Sequence, residues 1–324
     1  MSPRGNTELL LCGHAGPAAF TVSAYIAVMT PSPWTAADLP DLRGRTAIVT
    51  GANSGIGRVA ALELARAGAA VTLAVRDTTK GQAAAATMTG NVTVRPLDLA
   101  DLVSVREFAH ATEGPVDLLV DNAGIMATPQ GRTVDGFELQ IGTNHLGHFA
   151  LTNLLLPQIT NRVVVVSSSL HTSGRIDLDD LNWQRRSYKP WAAYSQSKLA
   201  NLLFALELQR RLTQAGSAVR VTAAHPGYAA TNLQGRTSNR ITNFFTAIAN
   251  RLVAQSDTMG ALPTLYAATA DIPGGTYIGP DGFRHQRGHP AVDHPAPQAL
   301  DAATARRLWD LSEQLTSVSW PLSP

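Results

Sequence analysis

Tyr194 and Lys198 stand four residues apart at the start of a stretch, Ala192 to Leu212, that reads as a helix. Residues at that spacing share one helix face. An ammonium beside a phenol favours its ionised form. A tyrosine with an unperturbed pKa of about 10 is a poor base at neutral pH. Moved toward about 7, it can exchange a proton with a hydroxyl or a carbonyl oxygen. Upstream, the apolar run Val163 to Val166 ends in Ser167-Ser168-Ser169. The end of a parallel strand is where such a sheet presents its working groups. The competing reading of the three serines is an ordinary strand-end turn. Lysine is scarce: Lys80, Lys189 and Lys198 are the only ones among 26 basic residues.

A second constellation is the loop Thr50-Gly51-Ala52-Asn53-Ser54-Gly55-Ile56-Gly57, set between a short apolar run and an Ala/Leu-rich helical stretch. Glycine reaches positive φ and lets a phosphate come close to the backbone. The helix that follows offers free N–H groups and the positive end of its dipole to a pyrophosphate. A plain glycine-rich turn is the alternative. The strand before, the helix after and a further strand near residue 70 favour the phosphate cradle.

The elements that must hold these groups alternate regularly. Apolar runs at Thr46–Thr50, Ala70–Val75, Val92–Leu97, Val116–Val120, Arg162–Ser167 and Val219–Ala224 read as strands. Helical stretches at Arg58–Ala67, Thr79–Met88, Asp101–Thr112, Gly136–Pro157 and Ala192–Leu212 lie among them, with a last strand at Thr276–Ile278 and a last helix at Asp301–Leu315. Strands apolar on both faces and separated by helices form a parallel sheet covered on both sides. The expectation is one α/β domain over residues 41–324, a doubly wound Rossmann-type fold with about seven mostly parallel strands. Residues 1–40 read as an N-terminal extension, disordered or in part an upstream start-site artefact.

Composition narrows the function. Apolar residues make up 44% and charged residues 15% of the 324, which excludes a disordered chain. The single cysteine, Cys12, excludes an internal disulfide and a thiolate metal cluster. A net charge of +2 gives no reason to expect nucleic acid. No uninterrupted apolar run reaches the roughly 18 residues of a membrane span, so a cytoplasmic protein is expected.

The loop spacing Gly-x-x-x-Gly-x-Gly, the Tyr-x-x-x-Lys pair and the strand-end serine resemble the short-chain dehydrogenase/reductase family over residues 44–320. Asn144-His-Leu-Gly-His148, Ser168 with His171 and Gly174, and Ser197 to Leu203 are similar to its retinol-dehydrogenase-like and protochlorophyllide-reductase-like branch. The resemblance implies a hydride exchanged between a nicotinamide and a carbonyl or alcohol carbon. It assigns Tyr194 as general acid/base, with Lys198, Ser168 and Asn144 completing the catalytic set. The cofactor would lie on Gly51, Asn53, Ser54, Gly55, Ile56 and Gly57, on Asp98 and Leu99, and on Asn122, Ala123 and Gly124, where Asp121 departs from the family's Asn. Tyr194 and Lys198 would also touch the cofactor. Pro226, Gly227 and Thr231 would close over its nicotinamide.

At the end of the second strand an acid would bond a ribose hydroxyl, whereas an arginine suits a 2′-phosphate. Val75 fills the acid position and Arg76 follows, so NADP(H) is expected. NAD(H), through Asp77 near the ribose, is the alternative. The stripe Ile241, Phe244, Phe245, Ile248 and Leu252 is either a lid, within about residues 228–255, over an apolar substrate or a packing face. His145, His148 and His171 read as structural rather than metal ligands. The rival readings are a redox sensor without turnover and a nucleotide-sugar epimerase. Self-association as a dimer or tetramer through the long helices is a family expectation.

Overall fold

The computed structural model describes residues 33–227 and 256–322. The stripe from Ile241 to Leu252, Tyr228, Thr231 and the tail before residue 33 lie outside the described residues.

Eight strands form one sheet in the order β3-β2-β1-β4-β5-β6-β7-β8. They are β1 (Thr46–Thr50), β2 (Ala70–Val75), β3 (Val92–Pro96), β4 (Val116–Asp121), β5 (Ile159–Val166), β6 (Arg220–Ala224), β7 (Tyr277–Pro280) and β8 (Pro290–Val292). All pairings from β3 to β7 are parallel, and β8 returns antiparallel, with Ile278 opposite Val292. The eighth strand was not expected. It spans three residues, starts at proline and draws its pairing from β7 rather than from its own pattern.

β5 explains why the central runs are apolar without alternation. Val163 and Val165 face one buried cluster with Phe149, Leu199 and Trp309. Val164 and Val166 face the other, with Leu64, Leu265 and Ile278. Both faces are covered, as parallel sheets require.

Helices α1 (Gly55–Arg66), α2 (Thr78–Ala85) and α3 (Leu102–His110) follow the first three strands. The long stretch after β4 starts later than its sequence suggests, at Leu139. Gly136 is at φ +85°, and the Glu138 carboxylate caps the amides of Gln140 and Ile141. This helix comprises α4 (Leu139–Ile141), a π turn at Gly142–Leu146 and α5 (Gly147–Leu155). Then come α6 (Pro190–Gln214), α7 (Asp257–Thr269) and α8 (Ala302–Thr316). α8 lies across α5 and α6. Its Trp309 is 2% exposed, with ring contacts to Phe149 at 4.9 Å and Phe204 at 5.8 Å.

The boundary expected at residue 40 falls earlier. Trp34 packs edge-on against Tyr266 at 5.3 Å, and Arg66 donates to the Ala36 carbonyl, so residues 34–39 belong to the compact unit. No helix among the described residues is long and apolar enough to cross a membrane.

Candidate active site

Among the described residues, the expected site residues gather toward the C-terminal ends of β1 to β6, where parallel sheets of this winding form their crevice. Gly51, Asn53, Ser54, Gly55, Ile56, Gly57, Arg76, Asp98, Leu99, Asn122, Ala123 and Gly124 all line one cavity. Ala74, Leu97, Ile125 and Thr143 line it too. Sequence reasoning missed these four, although each lies beside a residue of a recognised motif or within two positions of one.

The glycines are required by close approaches. Gly51 sits at φ +67°, and a Cβ there would come within 2.9 Å of Ala123. A Cβ on Gly57 would collide with the Asn122 side chain. Asn122 itself is pinned by its Nδ2 donating to the Thr50 carbonyl at 2.7 Å. The Thr50 hydroxyl accepts from the amides of Asn122 and Ala123, each at 2.9 Å. The cradle is therefore formed by β1 and β4 together, with room that side chains would close. A dinucleotide fits this donor set: backbone at a helix start for the pyrophosphate, and Asp98, Leu99 and Arg76 at the far end.

Arg76 and Asp77 face different tasks. Arg76 is exposed at the cavity and has no hydrogen bond or ion pair among the described residues. Asp77 is the N-cap of α2, accepting from the Lys80 amide at 3.0 Å and pairing with Lys80 Nζ at 2.8 Å. Asp77 does not line the cavity.

The three serines separate by their partners. Ser167 is buried and donates to the Lys198 carbonyl at 2.7 Å. The Ser169 carbonyl accepts from the Thr172 hydroxyl. Ser168 is the serine whose side chain interacts with the Tyr194 phenol. Lys198 is 4% exposed and donates from Nζ to the Val166 carbonyl at 3.0 Å, with that nitrogen 5.9 Å from the Tyr194 ring centre. The Asn144 side chain accepts from the Ile125 amide and donates to the Ile125 carbonyl and Ser197 Oγ. Ser197 in turn donates to the Tyr194 carbonyl at 2.8 Å.

The electrostatics differ from the sequence expectation. Burial pushes the Tyr194 phenol up to about 12, against the lowering effect of Ser168, rather than down toward neutrality. Burial also pushes Lys198 down to about 8. The ammonium is held by a strand carbonyl and lies toward the phenol's ring, so desolvation prevails over charge attraction.

The family model described as short chain dehydrogenase matches residues 45–241, more than half of the chain. The chain belongs to the short chain dehydrogenase family. It is similar to retinol dehydrogenase 13 of Homo sapiens, with 45% identity over 297 residues covering 86% of each protein. The crystal structure of an uncharacterised Mycobacterium paratuberculosis protein is 57% identical, with a TM-score of 0.80, covering 90% of this chain and 100% of that one. A Beutenbergia cavernae structure described as that of an NAD(P)-dependent gluconate 5-dehydrogenase, with NADP bound at low occupancy, is 27% identical, with a TM-score of 0.53, covering 71% of this chain and 91% of that one. This dehydrogenase is thus an oxidoreductase of CH–OH groups that uses a nicotinamide cofactor.

Proposed function

We propose that this dehydrogenase exchanges hydride between NADP(H) and a small apolar carbonyl or alcohol, with Tyr194 as the proton donor and acceptor. The observation that carries the cofactor choice is the division of labour at the end of β2: Arg76 stands free at the cavity while Asp77 is committed to capping α2. A guanidinium matches a phosphate dianion in charge and fork geometry.

When bound, the nicotinamide supplies or takes the hydride. The chain supplies the rest. Ser168 Oγ holds the substrate oxygen beside the phenol. Tyr194 Oη, protonated at neutral pH at the pKa its burial imposes, gives its proton to the forming alkoxide. Lys198 carries positive charge behind the ring, and Asn144 ties the Ile125 backbone to Ser197, which bonds the Tyr194 carbonyl. Pro226 and Gly227 would border the nicotinamide end. Gly227, at φ +65°, lies against the Gln286 carbonyl, where a Cβ would collide. The apolar character of the substrate is supported by the similarity to a retinol dehydrogenase, retinol being an apolar alcohol.

The test is a titration with NADPH and with NADH, followed by nicotinamide fluorescence, on the wild type and on Arg76→Ala. NADPH should bind at least tenfold more tightly than NADH, and Arg76→Ala should remove most of that difference. Preference for NADH, or equal losses for both cofactors, would refute the phosphate role.

A further inference from the structure

Two buried histidines outside the catalytic set reach the same C-terminal segment. His171 Nδ1 lies 2.7 Å from the Ser168 carbonyl oxygen. A carbonyl only accepts, so Nδ1 carries the proton. In the neutral ring Nε2 then accepts, and the Ala296 amide donates to it at 3.0 Å. Burial lowers the His171 pKa, which favours that neutral ring. Gln298 donates to the Thr172 carbonyl at 2.7 Å.

His225 closes β6 immediately before Pro226 and Gly227. Its Nδ1 accepts from the Gly227 amide at 3.2 Å, and its Nε2 donates to Asp293 Oδ2 at 2.8 Å. Tyr277 contacts both imidazoles, with ring centres 5.5 Å from His171 and 5.2 Å from His225. A side chain at Gly279 would collide with His225 and crowd Asp293, so β7 makes room for the pair.

We propose that residues 293–298 form a strap that sets two parts of the active site at once. His171 is a positioning residue that fixes the Ser168 backbone and so aims its hydroxyl. His225, held by Asp293, is a positioning residue for the Pro226–Gly227 turn. The inference rests on the roles given above to Ser168 and to that turn.

The test compares Ser168→Ala, His171→Asn, His171→Gln, Asp293→Asn and Asp293→Ala in the full chain. The readouts are NADPH affinity by fluorescence, kcat and KM for NADPH-dependent reduction of retinaldehyde, and melting temperature. Asparagine keeps an N–H near the place of Nδ1, so His171→Asn should keep kcat within about threefold. His171→Gln loses the donor to Ser168, and its kcat should fall about tenfold with little change in KM. Asp293→Ala should weaken NADPH about fivefold, whereas Asp293→Asn, which still accepts from His225, should not.

A merely structural His171 would lower melting temperature and turnover alike in both variants, and that result overturns the proposal. So does wild-type NADPH affinity in Asp293→Ala. If Ser168→Ala turns over like the wild type, the reading of the site fails. If Ser168→Ala is impaired while His171→Gln is not, the strap alone fails.

Discussion

His148 Nδ1 donates to the carbonyl oxygen of Asn144, 3.0 Å away and four residues back, across the π turn. That bond fixes the tautomer, so Nε2 accepts, and the Thr50 hydroxyl donates to it at 2.9 Å. Thr50 already receives the Asn122 and Ala123 amides. One neutral imidazole, its pKa pushed down to about 4 by burial, thereby joins the glycine loop's strand to the helix that carries Asn144. The Asn144 carbonyl thus has one of its lone pairs engaged by this ring.

His148→Leu should cost about 2–4 kcal/mol of stability, because two buried polar partners lose their bonds together. Urea unfolding of the two proteins would measure it. A loss under about 0.5 kcal/mol would show that the network has slack.

Tyr194→Phe should lower turnover by about 10²–10⁴ while NADPH affinity changes less than about threefold. Steady-state kinetics with retinaldehyde, alongside the fluorescence titration, separates the two quantities. Turnover near that of the wild type would remove Tyr194 from the proposed role.

Asp121 is fully enclosed at the end of β4, with Thr152 donating to Oδ2 at 2.7 Å and Oδ1 without a partner among the described residues. Burial raises its pKa from 3.8 to about 8. The folded state therefore binds a proton that the unfolded chain releases near pH 4, and the associated stability is lost as pH rises toward 8. Asp121→Asn, which restores the family's residue, should gain on the wild type across that window by several kcal/mol in order of magnitude. Denaturant melts at pH 5, 7 and 9 would show the trend, and a constant difference across them would count against a buried proton.

Much of this was legible in the sequence, for physical reasons. The central strands are buried on both faces, so their apolar runs need no tertiary information to be recognised. The glycine loop and Tyr194–Lys198 announce themselves because backbone approach and helix-face pairing demand fixed spacings. What was hidden depends on partners far along the chain. His171 meets Ala296 across 125 residues and His225 meets Asp293 across 68, and nothing in the Gly/Pro/His-rich tail marks those meetings. β8 exists only because β7 lies beside it. The Tyr194 pKa turned the other way because the depth of burial cannot be read from a four-residue spacing.

The C-terminal helix α8 has a consequence for how the enzyme behaves on dilution. In a dimer joined through its long helices, each subunit would shield the other's apolar faces. Here α8 of the same chain shields α5 and α6, packing Trp309 against both Phe149 and Phe204, which also touch each other. Exposing those rings to admit a second subunit would forfeit about 2–3 kcal/mol for the tryptophan alone. Specific activity should therefore stay constant from micromolar to low-nanomolar enzyme, and a decline on dilution would show that subunits pair through another surface. The faces of α5 and α6 that α8 covers are already occupied by the chain's own C-terminus.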